Sequence, residues 1–495
     1  MNKNLLRRMI TLVVTLSLGT SLSSAQFAED VLRLSQYGLG VGGRSLGMGN
    51  ASVGGTEDYS ALFWNPAGLA QLRSYEFSTG LSFLGYGDNT KFMGTATTAN
   101  HNVINLNNLG LVYPVPTVQG SLTFALGFNR VTNYTSAASF TGFNPSSSIM
   151  ASLIPDVDLY SLSSSDVNDL LNNNIPYQLF LADTANGRIV TPINGDVQQS
   201  GTIREGGGIN HWSFGGGIDV ARDFSVGVTL SLVSGSYTYD REYTEADVNN
   251  VYQKAPADFY GQFDQFKYIS TINSDISGFN AIIGLMYHKQ GKFNFGFTVR
   301  TPTYYTIDET FSDEGKSRFD PNQNGVVDEY NIAFNGKTRY KVTTPLVVSM
   351  GGAVHFRDFF ILAADVDYTD WTQMKFDTQD PTLLSENRLI QNIYRSTFNV
   401  RVGGEVLLWD FGVKLRAGAI VNQSPYEGDP ASFDQVYYTA GAGFRLDRNV
   451  WLNVAYALGD WKTFRDNYYV AGVAASRTNE HVKTNNLNAT ISFQF

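Results

Sequence analysis

From Tyr75 to Phe495 the chain is built of stretches in which apolar residues alternate with small or polar ones. Phe224, Val226, Val228, Leu230 and Leu232 are apolar, while Ser225, Gly227, Thr229 and Ser231 between them are not, the period-two pattern of a strand with one greasy face. It recurs at Phe293, Phe295, Phe297 and Val299, at Phe411, Val413, Leu415, Ala417 and Ala419, and at Leu487, Ala489, Ile491, Phe493 and Phe495. Short breaks rich in Gly, Asp, Asn or Pro fall near Tyr113 to Val118, Ala221 to Phe224, His288 to Phe293, Arg357-Asp358, Leu408 to Phe411 and Asp447 to Asn449. Long breaks fall near 87 to 105, 131 to 208, 241 to 265, 312 to 330, 373 to 394, 422 to 434 and 461 to 483. About six short turns interleaved with about seven long loops predict roughly fourteen strands, with both chain ends on the short-turn side. The predicted fold is all-β: a transmembrane antiparallel β-barrel with an N-terminal plug and partly helical extracellular loops.

Composition sharpens this. A soluble chain of 495 residues would divide into domains, yet no Pro-rich or charged linker separates it into blocks. Charged residues make up 16%, aromatics 13%, and there are 48 glycines, a mix that suits barrel walls and aromatic girdles. A net charge of -10 argues against a nucleic-acid partner, which selects clustered Lys and Arg. With no cysteine, disulfide scaffolds, thiolate metal sites and catalytic thiols are excluded.

Lys3, Arg7 and Arg8, the apolar run Met9 to Leu18 and Ser23-Ser24-Ala25 read as a secretory signal over 1–25, too short to span a bilayer. Residues 26–73 then form the plug and 74–495 the barrel. No later run reaches the roughly 18 apolar residues of a membrane helix. The expected location is the outer membrane of a Gram-negative bacterium, among outer-membrane lipid and lipopolysaccharide, with the protein as a monomer.

Charges on the alternating polar face, Arg300, Asp365, Asp367, Arg401, Glu405, Lys414 and Arg416, are expected in the lumen, since a lipid-facing charge costs roughly 2–4 kcal/mol at the midplane. Two loops carry helical apolar spacing. Val167, Leu170 and Leu171 follow the cap signal Ser164-Ser165-Asp166, and Ile175 to Leu181 is too apolar for a freely solvated loop. Phe259, Tyr260, Phe263 and Phe266 form one sticky face, either a lid packed on itself or a collecting groove for an apolar ligand.

The plug is unlike the rest. Gly38, Gly40, Gly42 and Gly43 invite a nucleotide-binding reading, but no Lys-Ser or Lys-Thr follows and no strand precedes them. Gly43-Arg44-Ser45-Leu46-Gly47-Met48-Gly49-Asn50-Ala51 followed by Ala61-Leu62-Phe63-Trp64-Asn65-Pro66-Ala67-Gly68-Leu69 resembles the N-terminal hatch of the FadL-like outer-membrane transporters of long-chain fatty acids and aromatic hydrocarbons. Leu415-Arg416-Ala417-Gly418-Ala419, Ser424-Pro425 and Tyr438 to Phe444 are similar to that family's late strands.

The resemblance implies a fourteen-stranded barrel plugged by a hatch, with Asn65, Pro66 and Ala67 as hatch and gating residues. It also implies passive uptake: loop capture of a small hydrophobic molecule, a lumen pocket near the hatch and release when the hatch shifts, in the best-known members sideways into the bilayer. That lateral route is linked to a kinked early strand, and here Gly120 and Gly127 are the kink points on offer. No cofactor is required.

Asp320, Asn322, Asn324, Val326 and Asp328, with Gly325 at the sixth position, have the spacing of a Ca²⁺ loop, although Asn331 stands where the bidentate Glu belongs. A structural Ca²⁺ competes there with a plain polar turn. The five histidines lack ligand spacing and no Gly-x-Ser-x-Gly elbow occurs, so the expectation is a non-enzyme. The rival reading is a non-transporting barrel that binds protein clients, as the FadL-like type IX secretion shuttle proteins do.

Overall fold

The computed structural model describes residues 28–252, 262–289, 291–320, 327–356, 359–408, 412–473 and 475–495. The expected signal segment, Phe259 and Tyr260 lie outside them, as do Asn322, Asn324 and Val326.

Fourteen antiparallel strands close into one barrel. They are β1 (Glu76–Phe92), β2 (Thr95–Val115), β3 (Leu122–Asn133 and Ser136–Asn144), β4 (Val197–Ala221), β5 (Phe224–Ala246), β6 (Phe263–Lys289), β7 (Phe293–Arg300 and Tyr304–Phe319), β8 (Asp328–Thr343 and Val347–Phe356), β9 (Phe360–Asp370 and Lys375–Phe376), β10 (Ser396–Leu408), β11 (Val413–Asn422), β12 (Gln435–Asp447), β13 (Val450–Asp466) and β14 (Arg477–Gln494). β1 pairs with both β2 and β14, from Glu76↔Gln494 to Lys91↔Asn479, so the sheet has no end. Closure is what a bilayer demands, because each unpaired backbone group in hydrocarbon costs several kcal/mol.

The outward face marks the membrane. Trp212, Leu232, Phe279 and Tyr304 stand in one cross-strand row, all exposed. One step further from the periplasmic end that row becomes Asn210, Ser234, Ser277 and Thr306. Tyr75, Tyr113, Phe293, Phe356, Phe444 and Phe495 are exposed at the opposite end. These are the two aromatic girdles of an outer-membrane barrel, and Phe495 closes the sheet by donating its N–H to the Tyr75 carbonyl at 2.9 Å.

Strand number and sidedness agree with the alternation, whereas several boundaries do not. The expected long loop over 87–105 is a two-residue turn, Met93-Gly94, between strands of 17 and 21 residues. Asn, Thr and Gly fill both faces of this hairpin, so hydrophobic alternation was silent although the backbone ladder continues. For the same reason strands reach into four other expected loops, leaving connections of 145–196, 247–262, 320–327 and 467–476, whereas 377–395 and 423–434 agree with the expected bounds. Strands run on past the bilayer because hydrogen bonding extends them, whereas only the lipid-contacting part must be greasy.

The extracellular connections fold into a lid. Helix α1 (Ala28–Ser35) belongs to the plug; α2 (Ser164–Asn172) begins at an N-cap where Ser163, one residue before the expected signal, accepts from Asp166 N–H. Phe92, Phe140, Met150, Ile175, Leu179 and Tyr243 are buried in one cluster at the mouth. Glu245, fully buried beneath it, accepts from Ile149 N at 2.8 Å, Gln199 Nε2 at 2.8 Å and Tyr243 Oη at 2.9 Å. Helix α3 (Pro381–Ile393) sits on the hatch, its Glu386 accepting from Ala28 N at 3.1 Å.

Candidate functional site: hatch, lumen cavity and wall gap

Residues 28–73 fill the lumen, and the barrel wall is shaped to receive them. At Gly403 and Gly418 an added Cβ would collide with the Met48 carbonyl and the Gly49 amide. At Gly227 it would strike Pro66 and Ala67, at Gly284 Asn65, at Gly296 the Val53 carbonyl, and at Gly110 the Tyr59 ring. Much of the glycine content therefore sits as a collar in which hatch backbone lies directly on strand backbone.

The lumen charges are the sockets of this plug. Asp365 accepts from Ser52 N at 2.5 Å and Val53 N at 2.7 Å. Arg300 donates to the Phe63 carbonyl at 3.2 Å and lies 4.5 Å over Tyr37 and 4.6 Å over Phe63. Glu405 gathers three cations: Arg44 Nε of the hatch at 3.2 Å, Arg416 Nε at 2.7 Å and Lys414 Nζ at 3.2 Å. Arg44 also reaches Glu57 at 3.1 Å and the Gly55 carbonyl at 3.1 Å. The Arg44 guanidinium beside the Glu57 carboxyl holds it below the usual carboxylate range. Asp367 pairs with Arg401. The charge-balanced interior is thus a docking surface, which alternation alone could not distinguish from a solvated lining.

Asn65, Pro66 and Ala67 anchor the hatch rather than line a cavity. Asn65 is fully buried; its Nδ2 donates to the Val53 carbonyl at 2.8 Å and the Leu285 carbonyl at 3.1 Å, while Oδ1 accepts from Ala67 N at 3.1 Å. The side chain so caps the 3-10 turn Pro66–Gln71 and ties it to β6.

Above the collar the segment Gln36–Leu39 divides the remaining space into two cavities of about 270 and 390 Å³. The smaller is lined by Trp371, Arg401, Asn422, Tyr426, Phe433 and Trp461, the larger by Leu84, Tyr86, Arg130, Tyr134, Glu205 and Tyr437. Both combine aromatic and aliphatic faces with amides and charges. None of these cavity residues carried a local sequence signal beyond its inward register.

The larger cavity meets a break in the wall. β2 and β3 pair only from Val115↔Leu122 to Asn108↔Asn129, and beyond Asn108 β2 pairs with β1 alone. A bulge at Asn107 and another at Val131 mark the departure, after which β3 is interrupted at Tyr134-Thr135. Its second segment crosses inside the β1–β2 hairpin: Thr97 Oγ1 donates to the Ser139 carbonyl at 2.8 Å, and Phe140 stacks edge-on Phe92 at 5.1 Å. The kink lies here, not at Gly120 or Gly127. Its enabling glycines are on the neighbouring strand, where Gly207 and Gly208 have φ of 92° and 157°.

At its outer end the gap is bounded by His101 Nδ1 of β2, 3.3 Å from the Ser136 carbonyl of β3, and below that the hatch seals it. Gly38 N donates to the Val131 carbonyl at 2.9 Å and Thr132 Oγ1 to the Gln36 carbonyl at 3.1 Å. On the other side Asn107 Oδ1 accepts from Gly42 N and its Nδ2 donates to the Gly40 carbonyl, both at 3.2 Å. Strand edges that would otherwise face hydrocarbon are satisfied by plug backbone. Leu81, Ile104 and Leu106 are exposed outside, which places the gap at bilayer depth.

The fold has solved counterparts. The chain is similar to the Pseudomonas putida toluene transporter TodX, at 15% identity over 93% of this chain and 99% of that one with a TM-score of 0.54. A Pseudomonas aeruginosa FadL homologue matches at 12% identity over 92% and 98%, TM-score 0.55. The fold is that of the FadL-type barrels. A family model described as BamG matches residues 190–408, from the end of the long lid loop through β10. No curated protein matches the sequence.

Of the four loop aromatics, Phe263 and Phe266 are described, and they are placed differently from the sticky helical face expected of them. Phe263 and Phe266 lie in β6 and are buried at 1% and 0% exposure inside the lid. Spaced by three in a regular strand they would point to opposite faces; a bulge at Asp264, where Phe319 pairs Phe263 and Arg318 pairs Gln265, turns both inward. Asp320 and Asp328 flank the loop of the β7–β8 hairpin, whose last pair is Phe319↔Asp328. Among the described residues no group of three or more His, Asp or Glu could hold a metal ion.

Proposed function

We propose that this protein is a passive outer-membrane transporter of small hydrophobic or amphipathic molecules, which enter through the lid, rest in the divided lumen cavity and leave sideways through the β2–β3 gap. The observation that carries this reading is the adjacency of the 390 Å³ cavity to a wall gap whose two strand edges are bridged by the segment Gln36–Gly42. The glycine collar argues against an axial exit, because leaving that way requires lifting backbone off backbone around the lumen. The lateral exit breaks the four hydrogen bonds to the β2 and β3 edges, each worth about 1 kcal/mol net, together with those of Tyr37 to Thr303, Asn50 to the Leu39 carbonyl and Trp64 to the Val41 carbonyl, and leaves the collar in place. It also delivers an apolar ligand from cavity to lipid without a fully aqueous step. The mixed lining favours a ligand with a polar end, such as a fatty acid, over a bare hydrocarbon.

With no native cysteine, a Gly38→Cys/Thr132→Cys pair tests this cleanly. The Cβ built at Gly38 stands 3.5 Å from Thr132 Cα, so a disulfide would lock the hatch to β3. Oxidised protein in liposomes should take up a fluorescent fatty acid far more slowly than reduced protein. Equal rates with the cross-link formed would exclude the lateral route.

The client-binding reading has one observation of its own. Asp328–Thr343 of β8 pairs along its full length with β7, whereas its pairs with β9 are Val342↔Phe376 and Thr343↔Lys375, next to the Lys341 carbonyl that accepts from Asp377 N at 2.9 Å, so the outer part of this hairpin is the strand surface a client would meet. Co-purification of a stoichiometric protein partner that is lost on shortening the β7–β8 hairpin, with fatty-acid uptake absent throughout, would support that reading over transport.

A further inference from the structure

The outward faces of β13, β14 and β1 change character abruptly. Along β14 the lipid-facing residues are Phe493, Ile491, Ala489 and Leu487, and the next are Asn485, Lys483, His481 and Asn479. Along β13 they are Val450, Leu452, Val454, Tyr456 and Leu458, followed by Asp460 and Lys462. The switch occurs within one cross-strand pair on the two strands: Tyr456 opposite Leu487 is apolar on both, Leu458 opposite Asn485 is mixed, and Asp460 opposite Lys483 is charged on both. From Val450 to Leu458 the apolar face runs over nine residues, or eight steps of about 3.4 Å, giving about 27 Å of strand and less once tilted, which matches the greasy band of an outer-membrane barrel.

Cations gather just past this boundary. Lys462 is opposite His481, which is opposite Asn89; Asp460 is opposite Lys483; and Lys91 is opposite Asn479, next to Phe464. Lys91, Lys462 and Lys483 are exposed. Asp460 is the one acid within the cluster, 3.0 Å from His481 Nε2 and 4.0 Å from Lys483 Nζ. Arg477 further out is already matched by a two-pronged pair with Asp466 at 2.7 and 2.9 Å. Three lysines thus face one carboxylate, with Asn89 and Asn485 offering amides, in a chain whose overall charge is -10. Lysines belong at such an interface when their ammonium groups meet anions there, since each contributes about 1 kcal/mol near a negatively charged lipid surface.

We propose that Lys91, Lys462 and Lys483 form a binding site for the phosphate groups of an anionic glycolipid of the outer leaflet, whose acyl chains lie against Leu487, Tyr456 and Leu458. The patch combines a cationic cluster with an apolar wall directly beneath it, which is the shape of a phosphorylated amphiphile rather than of a free anion. The proposal rests on the membrane placement of the barrel and is independent of its cargo. It gives the protein a fixed lipid contact on the β13–β14–β1 face, adjoining the β1–β2 hairpin that borders the wall gap.

The test is retention of bisphosphorylated lipid A by the full chain in detergent, measured by native mass spectrometry and titration. Wild type should hold the lipid, and Lys91→Ser/Lys462→Ser/Lys483→Ser should weaken it on the order of a hundredfold at low salt, with less effect as salt rises. The corresponding triple Arg variant should bind as wild type does. Retention unchanged in the Ser variant, or equal retention of dephosphorylated lipid A, would overturn the proposal. So would full displacement by millimolar inorganic phosphate, which would make the cluster a free-anion site. Because all three lysines are exposed, unchanged heat-modifiable migration of the variants serves as the folding control.

Discussion

Replacing Glu405 by Gln should loosen the hatch much more than replacing Arg44, its partner across the interface. Glu405 is 3% exposed and is the common anion for Arg44, Arg416 and Lys414, at 3.2, 2.7 and 3.2 Å. Gln keeps the volume but removes the charge, leaving Arg416, 1% exposed, without an acid and Arg44 with only half-exposed Glu57. Stranding buried charge in this way costs about 3–5 kcal/mol. Undocking the hatch hydrates these cations and relieves much of that cost, so the docking equilibrium should shift by roughly 10² to 10⁴. Arg44→Gln leaves Glu405 with two cations and removes only charge-assisted hydrogen bonds, about 1.5–3 kcal/mol, or roughly a ten- to hundredfold shift. Conductance in planar bilayers, or sugar influx into liposomes, reads hatch displacement directly. The expected order is Glu405→Gln leakiest, Arg44→Gln intermediate, wild type closed. If Arg44→Gln leaks as much as Glu405→Gln, or Glu405→Gln leaks no more than wild type with the barrel folded, the socket reasoning is wrong.

The glycine collar predicts a contrast between neighbours. Gly403→Ala would drive a methyl into the Met48 carbonyl and should displace the hatch, whereas Gly404→Ala, whose nearest neighbour is the Ile361 carbonyl at 3.3 Å, should leave leakage and thermal stability close to wild type. Phe266→Ser should cost the lid about 3–5 kcal/mol, since it empties a fully buried site and adds a hydroxyl; limited proteolysis should then cut the lid loops at protease levels that spare wild type, and unchanged cleavage would remove Phe266 from the lid core.

Much of the architecture was legible because the bilayer imposes it on the sequence. Lipid rewards a strict two-residue alternation, so Phe224 to Leu232 and Leu487 to Phe495 declared their faces and, with the turns, the strand number. The hatch announced itself by motif, since Gly43 to Ala51 and Asn65-Pro66-Ala67 must meet wall backbone at close range. Outside the bilayer that constraint lapses. The Asn- and Thr-rich β1–β2 hairpin read as a loop because its stability comes from ladder hydrogen bonds, to which side-chain polarity is indifferent. Phe263 and Phe266 read as a helical face because a single bulge at Asp264 gives a strand the same periodicity.

By itself, then, the sequence determined the all-β barrel, its plug and which charges face inward. Only the tertiary structure decided what those charges hold, where the wall opens and what closes it. Each of these depends on residues distant in sequence: Arg44 meets Glu405 across 361 positions, Asn107 meets Gly42 across 65, and the kink in β3 is permitted by Gly207 and Gly208 on the next strand. Local periodicity reports the solvent on each side of a strand. It carries no information about which distant backbone will complete the hydrogen bonds that strand leaves open.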